Sequence, residues 1–392
     1  MHLLAVGGGG ALGRAALDRI RQLPAVARIT VADYDGAAAA AVTAELGVSA
    51  APLTLDICDA AALDAAVASA DVVLNTSGPY FRYGLIVLKA ALAAGRPYLD
   101  ACDDPETTLG MLVLDRQARA AGVPVLIGLG ASPGVTNLLA VAALEALDDT
   151  RRLATAWRAD GRLSNADNRG PRDAATALDL HRVQQASGQV SVYRHGAREL
   201  AEALAPVKLS LPGYGSRVFY QFGHPEAVTL GRRFPDLADA PSLVALTASQ
   251  HHGWQALMRS NTGAEDEVDR LAGLLAAGAF PGPGLSRRLR RFTGGVAPPT
   301  AVPELFALAE GQRAGRNAAA LAELMTVPAS SYAELAGSVL ALGVQAIVDG
   351  RLPEPGIFTP ESVFVPAVFF PALAALASPD NPESDLLKIT VT

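Results

Sequence analysis

The chain has 392 residues, half of them hydrophobic, and a formal net charge of −7 at pH 7. This length suggests two domains with buried cores, and the negative charge argues against a nucleic-acid partner. Two cysteines, Cys58 and Cys102, suit a reducing cytoplasm better than a disulfide framework. The longest apolar stretches, 338–348 and 363–377, are too short to span a membrane. The sequence therefore predicts a cytoplasmic protein without a membrane span.

The first predicted strand, 3–6, runs into the glycine-rich turn Gly8-Gly9-Gly10-Ala11-Leu12-Gly13, which opens a helix. A strand, a glycine turn and a helix in this order are typical of the first unit of a dinucleotide-binding domain. We interpret Gly8 as the residue of the tight turn, Gly10 as the point where a pyrophosphate approaches the backbone, and Gly13 as the contact between helix and sheet. The helix N-terminus, including Ala11 and Leu12, then faces the phosphates.

Asp33 follows the second predicted strand, 29–32, and stands where a carboxylate accepts hydrogen bonds from the adenosine ribose hydroxyls. A carboxylate there repels the 2′-phosphate of NADP, and no Arg or Lys follows in Tyr34-Asp35-Gly36. We therefore expect NAD(H) as the preferred cofactor, with NADP(H) as the alternative. Tyr34 and the pair Asp56-Ile57, after the third predicted strand, complete the expected adenosine side.

Three further strands are expected to end at the same edge, because ligands of parallel sheets bind at the carboxyl ends of strands. Strand 71–75 runs into Thr76-Ser77-Gly78-Pro79, where small hydroxyls and backbone amides are expected to donate to the pyrophosphate and the nicotinamide ribose. Strand 97–102 ends at Cys102-Asp103-Asp104. Strand 124–128 precedes Ser132-Pro133, which is interpreted either as a backbone cradle facing the nicotinamide or as a capped helix start.

Three residues at this edge are candidates for catalysis. Tyr80 either presents its phenol to the nicotinamide or packs in the core. Asp103 is either an acid/base or amine-binding group or a helix cap, and Cys102 contributes a thiol beside it. Metal catalysis is not expected, because the sequence contains no Cys-x-x-Cys or His-x-x-x-His pair, and the adjacent His251-His252 would point in different directions on a helix.

The predicted fold class is α/β, with a Rossmann-type doubly wound parallel sheet over residues 1–147. Residues 148–345, which begin with the more polar segment 151–194, are expected to form a second α/β or α+β domain for substrate binding or dimerisation. In it, 189–194 and 218–222 are predicted as strands of an antiparallel sheet. Residues 346–392 are expected to return to the first domain. Candidate carboxylate-binding side chains are Arg169, Arg172 and Arg217, and the basic run 287–291 is interpreted as a solvated helix face.

Four motifs, 8–13, 75–84, 98–104 and 130–139, occur in order at the spacing of successive strands, and through them the chain resembles the saccharopine dehydrogenase family. The resemblance implies a small-molecule substrate, homodimers, and hydride transfer to or from the C–N carbon of an imine or secondary amine formed from an amine and an oxo acid. Two alternatives remain: a carbonyl or enoyl reductase for a more apolar substrate, and a dinucleotide-binding sensor without turnover.

Overall fold

The computed structural model describes residues 1–47, 49–159, 176–260, 266–277, 302–325, 329–377 and 385–392. The chain divides into two compact units. Unit 1 comprises Met1–Val141 and Thr326–Leu386, and unit 2 comprises Ala142–Met325 and Leu387–Thr392. The predicted fold class, an α/β protein with a doubly wound parallel sheet and a second domain, is confirmed. None of the helices in the described ranges is both long and apolar enough to cross a membrane.

Unit 1 contains a sheet of seven strands that all run parallel. The strands are β1 (His2–Val6), β2 (Arg28–Asp33), β3 (Ala50–Thr54), β4 (Val72–Asn75), β5 (Tyr98–Asp100), β6 (Pro124–Leu126) and β15 (Gly356–Phe358). Their order across the sheet is β15-β6-β5-β4-β1-β2-β3. The order reverses between β1 and β4, and this is the switch point at which such sheets bind ligands.

The helices of unit 1 connect these strands or follow the last of them. They are α1 (Ala11–Ile20), α2 (Gly36–Leu46), α3 (Ala60–Ala68), α4 (Tyr80–Ala93), α5 (Pro105–Val113), α6 (Asp115–Ala121), α7 (Val135–Glu145), which extends into unit 2, α12 (Tyr332–Val348), α13 (Pro360–Val363) and α14 (Pro366–Ala377). Asp104 caps α5 by accepting from the N–H of Thr107 at 2.7 Å, with Pro105 at the first helical position, as the sequence predicts.

The C-terminal part of the chain divides between the two units. Helix α12 packs on α1, and a Cβ atom added at Gly337 would lie 2.6 Å from the carbonyl carbon of Ala15. The return to unit 1 therefore begins before residue 346. Strand β16 (Leu387–Val391) belongs instead to unit 2, which differs from the expectation that the whole of 346–392 packs on the first domain. The predicted domain limits at 147 and 345 stay predictions.

Unit 2 is built on a seven-stranded mixed sheet and a separate two-stranded one. In chain order the strands are β7 (Asp149–Arg158), β8 (Gln189–Arg194), β9 (Ala197–Glu202), β10 (Pro206–Leu211), β11 (Gly215–Gln221), β12 (Ser242–Ala245), β13 (Leu305–Arg313), β14 (Arg316–Leu324) and the β16 already given. The large sheet has the order β10-β11-β12-β7-β13-β14-β16, and β8 pairs only with β9. The expectation of an antiparallel sheet needs correction, because β12 and β7 run parallel, and the two predicted strands lie in different sheets.

Buried apolar side chains cover one face of this large sheet, among them Phe219, Leu243 and Phe306. The helices of unit 2 are α8 (Ala177–Gln185), α9 (Glu226–Arg233), α10 (Ala248–Arg259) and α11 (Glu267–Ala276). Arg169, Arg172 and the basic run 287–291 lie outside the described residues, so the predictions made for them stay predictions.

Candidate functional site

The glycine turn after β1 needs glycine for three different reasons. Gly7, which the sequence analysis did not include, has the left-handed φ of +74° and makes the tight turn that was assigned to Gly8. A Cβ at Gly7 would lie 2.5 Å from the backbone nitrogen of Ser77. Gly8 instead packs beneath Val31, where a Cβ would approach Cγ1 to 2.9 Å, and a Cβ at Gly13 would lie 2.6 Å from the Gly7 carbonyl oxygen.

Helix α1 presents an open N-terminus next to this turn. Its N-cap is Gly10, which is exposed and has no side chain to accept from the first amides, and the first turn carries no acidic residue. A Cβ at Gly10 would meet only the Gly7 oxygen, at 3.4 Å, and would otherwise fill the space in front of the helix. The exposed Ala11 and half-buried Leu12 begin the helix. Backbone amides, a positive helix end and a clear approach together fit a pyrophosphate.

Asp33 ends β2 and is hydrogen-bonded to the glycine turn. Its Oδ2 accepts from the N–H of Gly9 at 2.9 Å, and its Oδ1 accepts from the N–H of Asp35 at 3.0 Å. The side chain is half-buried, and each carboxylate oxygen has a second lone pair for a ligand hydroxyl. This placement fits the predicted contact with a ribose diol.

The remaining residues predicted on the adenosine side lie near the ends of β2 and β3. Tyr34 is 77% exposed, so its ring is free of the core. Strand β3 ends at Thr54, and Asp56 lies in the following loop, where its Oδ1 accepts from the N–H of Cys58 at 2.8 Å. Ile57 beside it is half-buried. Their contact with a nucleotide stays a prediction.

The loop after β4 has a different hydrogen-bonding character from the one predicted. Thr76 Oγ1 donates to the carbonyl of Val6 at 3.1 Å. Ser77 donates to Asn75 Oδ1 twice, from its hydroxyl at 2.6 Å and from its N–H at 3.0 Å. Gly78 is half-buried and Pro79 is buried, with Pro79 as the N-cap of α4. The hydroxyl protons of Thr76 and Ser77 are therefore already engaged within the protein. The expectation that these hydroxyls act as donors to a ligand needs correction.

A series of buried hydrogen bonds, absent from the sequence predictions, runs beneath the rim of unit 1. The rim is the edge of the parallel sheet at which the strands end and their following loops begin. Asn75 Nδ2 donates to the Tyr98 hydroxyl at 3.0 Å, which donates to Asp100 Oδ2 at 2.8 Å. Asp100 Oδ1 accepts from the backbone N–H groups of Cys102 and Gly128, both at 3.0 Å. The three side chains are fully buried. They link the ends of three neighbouring strands, β4, β5 and β6.

Tyr80 lies in the core rather than in the open rim. Its hydroxyl donates to the carbonyl of Asn75 at 3.1 Å and accepts from the N–H of Ala101 at 3.3 Å. Burial raises the pKa of its phenol well above the usual value, and the charge of Asp100 adds to the rise. This placement favours the packing alternative, in which Tyr80 holds two strand ends together.

Cys102 and Asp103 differ in their access to the rim. Cys102 is fully buried, and burial raises the pKa of its thiol well above the usual value, so it remains a thiol. Its sulfur lies 3.7 Å from the carbonyl oxygen of Asp104 and 3.7 Å from Thr108 Oγ1. Asp103 is half-buried, and the helix cap is its neighbour Asp104. Of the predicted catalytic residues, Asp103 is therefore the one that is neither in the core nor used as a cap.

The loop after β6 combines a tight backbone turn with a buried polar pair. Ser132 is half-buried and Pro133 buried, and the Pro133 carbonyl accepts from the N–H of Gly130 at 2.9 Å. Asn137, which the sequence analysis quoted only within a motif, accepts from the N–H of Gly134 at 2.8 Å and donates to Glu361 Oε2 at 2.9 Å. The pair joins this loop to α13, which follows the neighbouring strand β15.

The candidates in unit 2 do not form a comparable site. Arg217 donates to the carbonyl of its neighbour Ser216 at 2.9 Å. The His251 ring stacks on Tyr220 at 3.9 Å between centroids and lies 6.2 Å from the ring of His252. Among the described residues, no group of three His, Cys, Asp or Glu side chains is placed to hold a metal ion. The candidate site is therefore the rim of unit 1.

The fold of unit 1 is of the Rossmann type, a class of domain that binds dinucleotides at this sheet edge. Residues 3–126 match the family model described as the saccharopine dehydrogenase NADP binding domain. This part of the chain is similar to that family of domains, and the predicted resemblance to the saccharopine dehydrogenase family is confirmed.

Two curated relatives match parts of the chain. A saccharopine dehydrogenase [NADP(+), L-glutamate-forming] of Pyricularia oryzae is 34% identical over 94 residues, which are 24% of this chain and 20% of that protein. A "Putative trans-acting enoyl reductase" of Mycobacterium tuberculosis is 36% identical over 102 residues, 25% of this chain and 24% of that protein. The matches thus span about a quarter or less of each relative's length.

The fold is similar to that of a solved structure over the whole chain. The saccharopine dehydrogenase (L-Glu forming) of Saccharomyces cerevisiae, solved in its apo form, aligns with a TM-score of 0.59 and 17% identity, and covers 100% of this chain and 99% of that one. At this identity the match shows the fold. The relatives named here by sequence and by fold are dehydrogenases and reductases.

Proposed function

We propose that this protein is an NAD(P)-dependent oxidoreductase of the saccharopine dehydrogenase type. The observation that carries the proposal is the rim of unit 1, where the open N-terminus of α1, the cradle of Gly7 and Gly10, and the carboxylate of Asp33 lie at one sheet edge. Each of these features fits a different part of a dinucleotide. The domain family and the fold of the yeast enzyme support the same reading.

NAD(H) is the proposed cofactor, with NADP(H) as the alternative. Asp33 places a negative charge at the end of β2, where the 2′-phosphate of NADP would meet it. The residues that follow, Tyr34-Asp35-Gly36, offer no cation to that phosphate. The family description names NADP, so the preference rests on Asp33 and on the lack of a cation in the three residues after it.

The proposed reaction is hydride transfer to or from the carbon of a C–N bond in an imine or secondary amine formed from an amine and an oxo acid. The nicotinamide, when bound, supplies or takes up the hydride. Asp103, half-buried at the end of β5, is our proposed proton donor and acceptor. Cys102 and Tyr80 are buried and protonated, and we assign them to holding the loop in place. A cytoplasmic homodimer acting on small molecules completes the proposal.

A second candidate activity is reduction of a carbonyl or enoyl group in a more apolar substrate. The observation that favours it is the similarity to the mycobacterial reductase, which is comparable in extent to that of the saccharopine dehydrogenase. Both matches cover only about a quarter of this chain, so they do not distinguish the two substrates.

The test is to measure binding of NADH and NADPH by calorimetry and then to screen pairs of amines and oxo acids for NADH consumption. We expect NADH to bind, an amine and oxo-acid pair to consume it, and Asp103→Asn to lower turnover at least about tenfold without changing the Kd for NADH. Asp64→Asn, an exposed change on α3, is the matched control.

The possible outcomes separate the alternatives. If neither nucleotide binds, every nucleotide-based proposal is wrong. NADH binding without consumption by amine and oxo-acid pairs favours the apolar-substrate reductase if enoyl or carbonyl compounds react, and a sensor if none does. Unchanged turnover in Asp103→Asn removes Asp103 from the chemistry.

A further inference from the structure

Two hydroxyl groups at the end of β4 have committed their protons to the protein. Thr76 Oγ1 lies 3.1 Å from the carbonyl oxygen of Val6, and Ser77 Oγ lies 2.6 Å from Asn75 Oδ1. Both partners are oxygen atoms without a proton, so the hydroxyl is the donor in each bond. Each hydroxyl oxygen therefore has only its lone pairs left to offer a ligand, so it can accept a hydrogen bond but not donate one.

The orientation of the Asn75 amide is fixed from both sides. The Ser77 N–H donates to Oδ1 at 3.0 Å, so the amide oxygen must face the loop. Nδ2 therefore faces Tyr98 and donates to its hydroxyl at 3.0 Å. Asn75 and Tyr98 are fully buried, so bulk water does not compete for these groups.

Asp100 gives this chain of hydrogen bonds its direction. An ionised carboxylate only accepts, so the Tyr98 hydroxyl must donate to Oδ2, at 2.8 Å. The Tyr98 oxygen is then left to accept from Asn75. Oδ1 of Asp100 is held by the N–H groups of Cys102 and Gly128. The charge of Asp100 thus fixes which group donates in each hydrogen bond from Asp100 to Ser77. These bonds pass through Tyr98 and Asn75.

We propose that Asp100, Tyr98 and Asn75 are positioning residues that present Ser77 to the dinucleotide as a hydrogen-bond acceptor. The inference rests on the proposed function, because it takes the rim to bind a dinucleotide. An acceptor attracts hydroxyl and amide donors and repels phosphate oxygens. On the β4 side of the switch point, the donors of a dinucleotide are the hydroxyls of the nicotinamide ribose and the carboxamide N–H₂ group. The phosphates are left to the amides of α1.

Protonation of Asp100 would reverse the arrangement. A neutral Asp100 carries a proton on the oxygen facing Tyr98, so the Tyr98 oxygen meets two donors while its own proton loses its acceptor. Rotation of the Asn75 amide by half a turn relieves this conflict, but it places Nδ2 against the N–H of Ser77. Ser77 then loses its acceptor partner, and its hydroxyl proton turns toward the ligand.

The groups around Asp100 allow this change near neutral pH. Burial raises the pKa of Asp100 to about 6. The titratable groups that face it are Tyr98 from β5, Tyr80 from α4, and Cys102 and Asp103 from the loop that follows β5. Burial raises the pKa values of Tyr80, Tyr98 and Cys102 well above their usual values, so these three stay protonated. Dinucleotide affinity should therefore decrease as the pH falls through about 6.

The decisive experiment compares the Kd values of NADH and ADP by calorimetry at neutral pH. ADP has the adenosine and the phosphates but lacks the nicotinamide ribose. We expect Ser77→Ala and Tyr98→Phe to weaken NADH about five- to tenfold, the effect of one buried hydrogen bond, and to leave ADP within about twofold. Ser77→Thr, which keeps the hydroxyl, should weaken NADH less than Ser77→Ala does. The control is Asp64→Asn on α3, which should bind both nucleotides as the wild type does.

The role of the buried charge is tested with Asp100→Asn and the acid-stable NAD⁺. The Kd of the wild type should rise about threefold from about pH 7.5 to about pH 5.5, since only the ionised fraction binds well. The variant should bind more weakly at neutral pH and show no such change. Should Asp100→Asn fail to fold, as judged by circular dichroism, the result for Ser77→Ala decides the inference.

Two results would overturn the inference while leaving the proposed function intact. One is wild-type NADH affinity in Ser77→Ala, and the other is an equal loss of NADH and ADP affinity, which would make the loop a phosphate contact. If the wild type binds neither NADH, NADPH nor ADP, the proposed function is wrong and this inference is overturned with it.

Discussion

Asp33 uses its carboxylate for two purposes at once. One oxygen holds the N–H of Gly9 and the other the N–H of Asp35, so the side chain shapes the glycine turn as well as carrying a charge. The effect of losing the charge therefore has to be measured separately from the effect of losing the turn. Two variants achieve this, because asparagine keeps an acceptor for Gly9 and alanine does not.

We predict that Asp33→Ala weakens NADH at least about tenfold, the loss of hydrogen bonds to a charged group, while NADPH changes by less than about threefold. Asp33→Asn should keep the turn and improve NADPH relative to NADH, because it removes the repulsion of the 2′-phosphate. The measurement is the Kd of both nucleotides by calorimetry. Equal losses for the two nucleotides in Asp33→Ala would show that Asp33 serves only the turn.

The residues of the rim differ in how far the sequence predicts them. Asp104 is predicted because it caps the helix that follows it directly in the chain. Asp33 is predicted because it stands at a fixed place in a common motif, the end of the second strand of a dinucleotide-binding unit. Asn75, Tyr98 and Asp100 are not, because their partners lie on neighbouring strands. A signal for them exists in retrospect. Tyr98 and Asp100 flank Leu99 on a fully buried strand, and buried polar side chains require partners.

At the scale of elements, the contact between α1 and α12 depends on Gly337. A Cβ at this position would lie 2.6 Å from the backbone carbon and 2.7 Å from the backbone nitrogen of the facing residues, Ala15 and Ala16. Backbone atoms cannot move aside as a side chain can, so the two helices would have to separate. The small residue therefore sets the distance between the first helix of unit 1 and the segment that returns to it.

We predict that Gly337→Ala lowers the free energy of unfolding by about 1–3 kcal/mol, the usual cost of overpacking, although alanine by itself favours a helix. Gly273→Ala on α11 is the matched control, since a Cβ there meets nothing within 4 Å. It should raise the free energy of unfolding by about 0.5–1 kcal/mol. Urea denaturation measures both, and stabilisation by Gly337→Ala would contradict the close contact.

At the scale of the whole molecule, the chain passes from unit 1 to unit 2, back to unit 1, and ends in unit 2. The last strand, β16, pairs with β14 from Leu324 to Ala320. Lys388 of β16 forms an ion pair with Glu323 at 2.5 Å, and the Tyr214 hydroxyl donates to the other oxygen of Glu323 at 3.0 Å. Glu323 is 3% exposed, so the final residues partner a buried carboxylate.

We predict that deletion of residues 387–392 destabilises unit 2 by several kcal/mol, because it exposes the edge of β14 and leaves a buried charge without its cation. NADH affinity should stay within about twofold, since the rim belongs to unit 1. Lys388→Ala keeps the strand and removes only the cation, so it should destabilise unit 2 by less than the deletion does. Thermal unfolding followed with and without NADH measures both. A large loss of NADH affinity on deletion would contradict the assignment of the site to unit 1.

The sequence by itself determined the features that depend on neighbours along the chain: the parallel strands of unit 1, the glycine turn, the cap at Asp104 and the carboxylate at the end of β2. Only the tertiary structure decided that Gly7 makes the turn, that the Ser77 hydroxyl donates to Asn75, and that the chain ends in unit 2. The physical reason is the same in each case. Donor and acceptor roles, close backbone approaches and strand partners are set by atoms from distant parts of the chain, and these meet only when the sheets form.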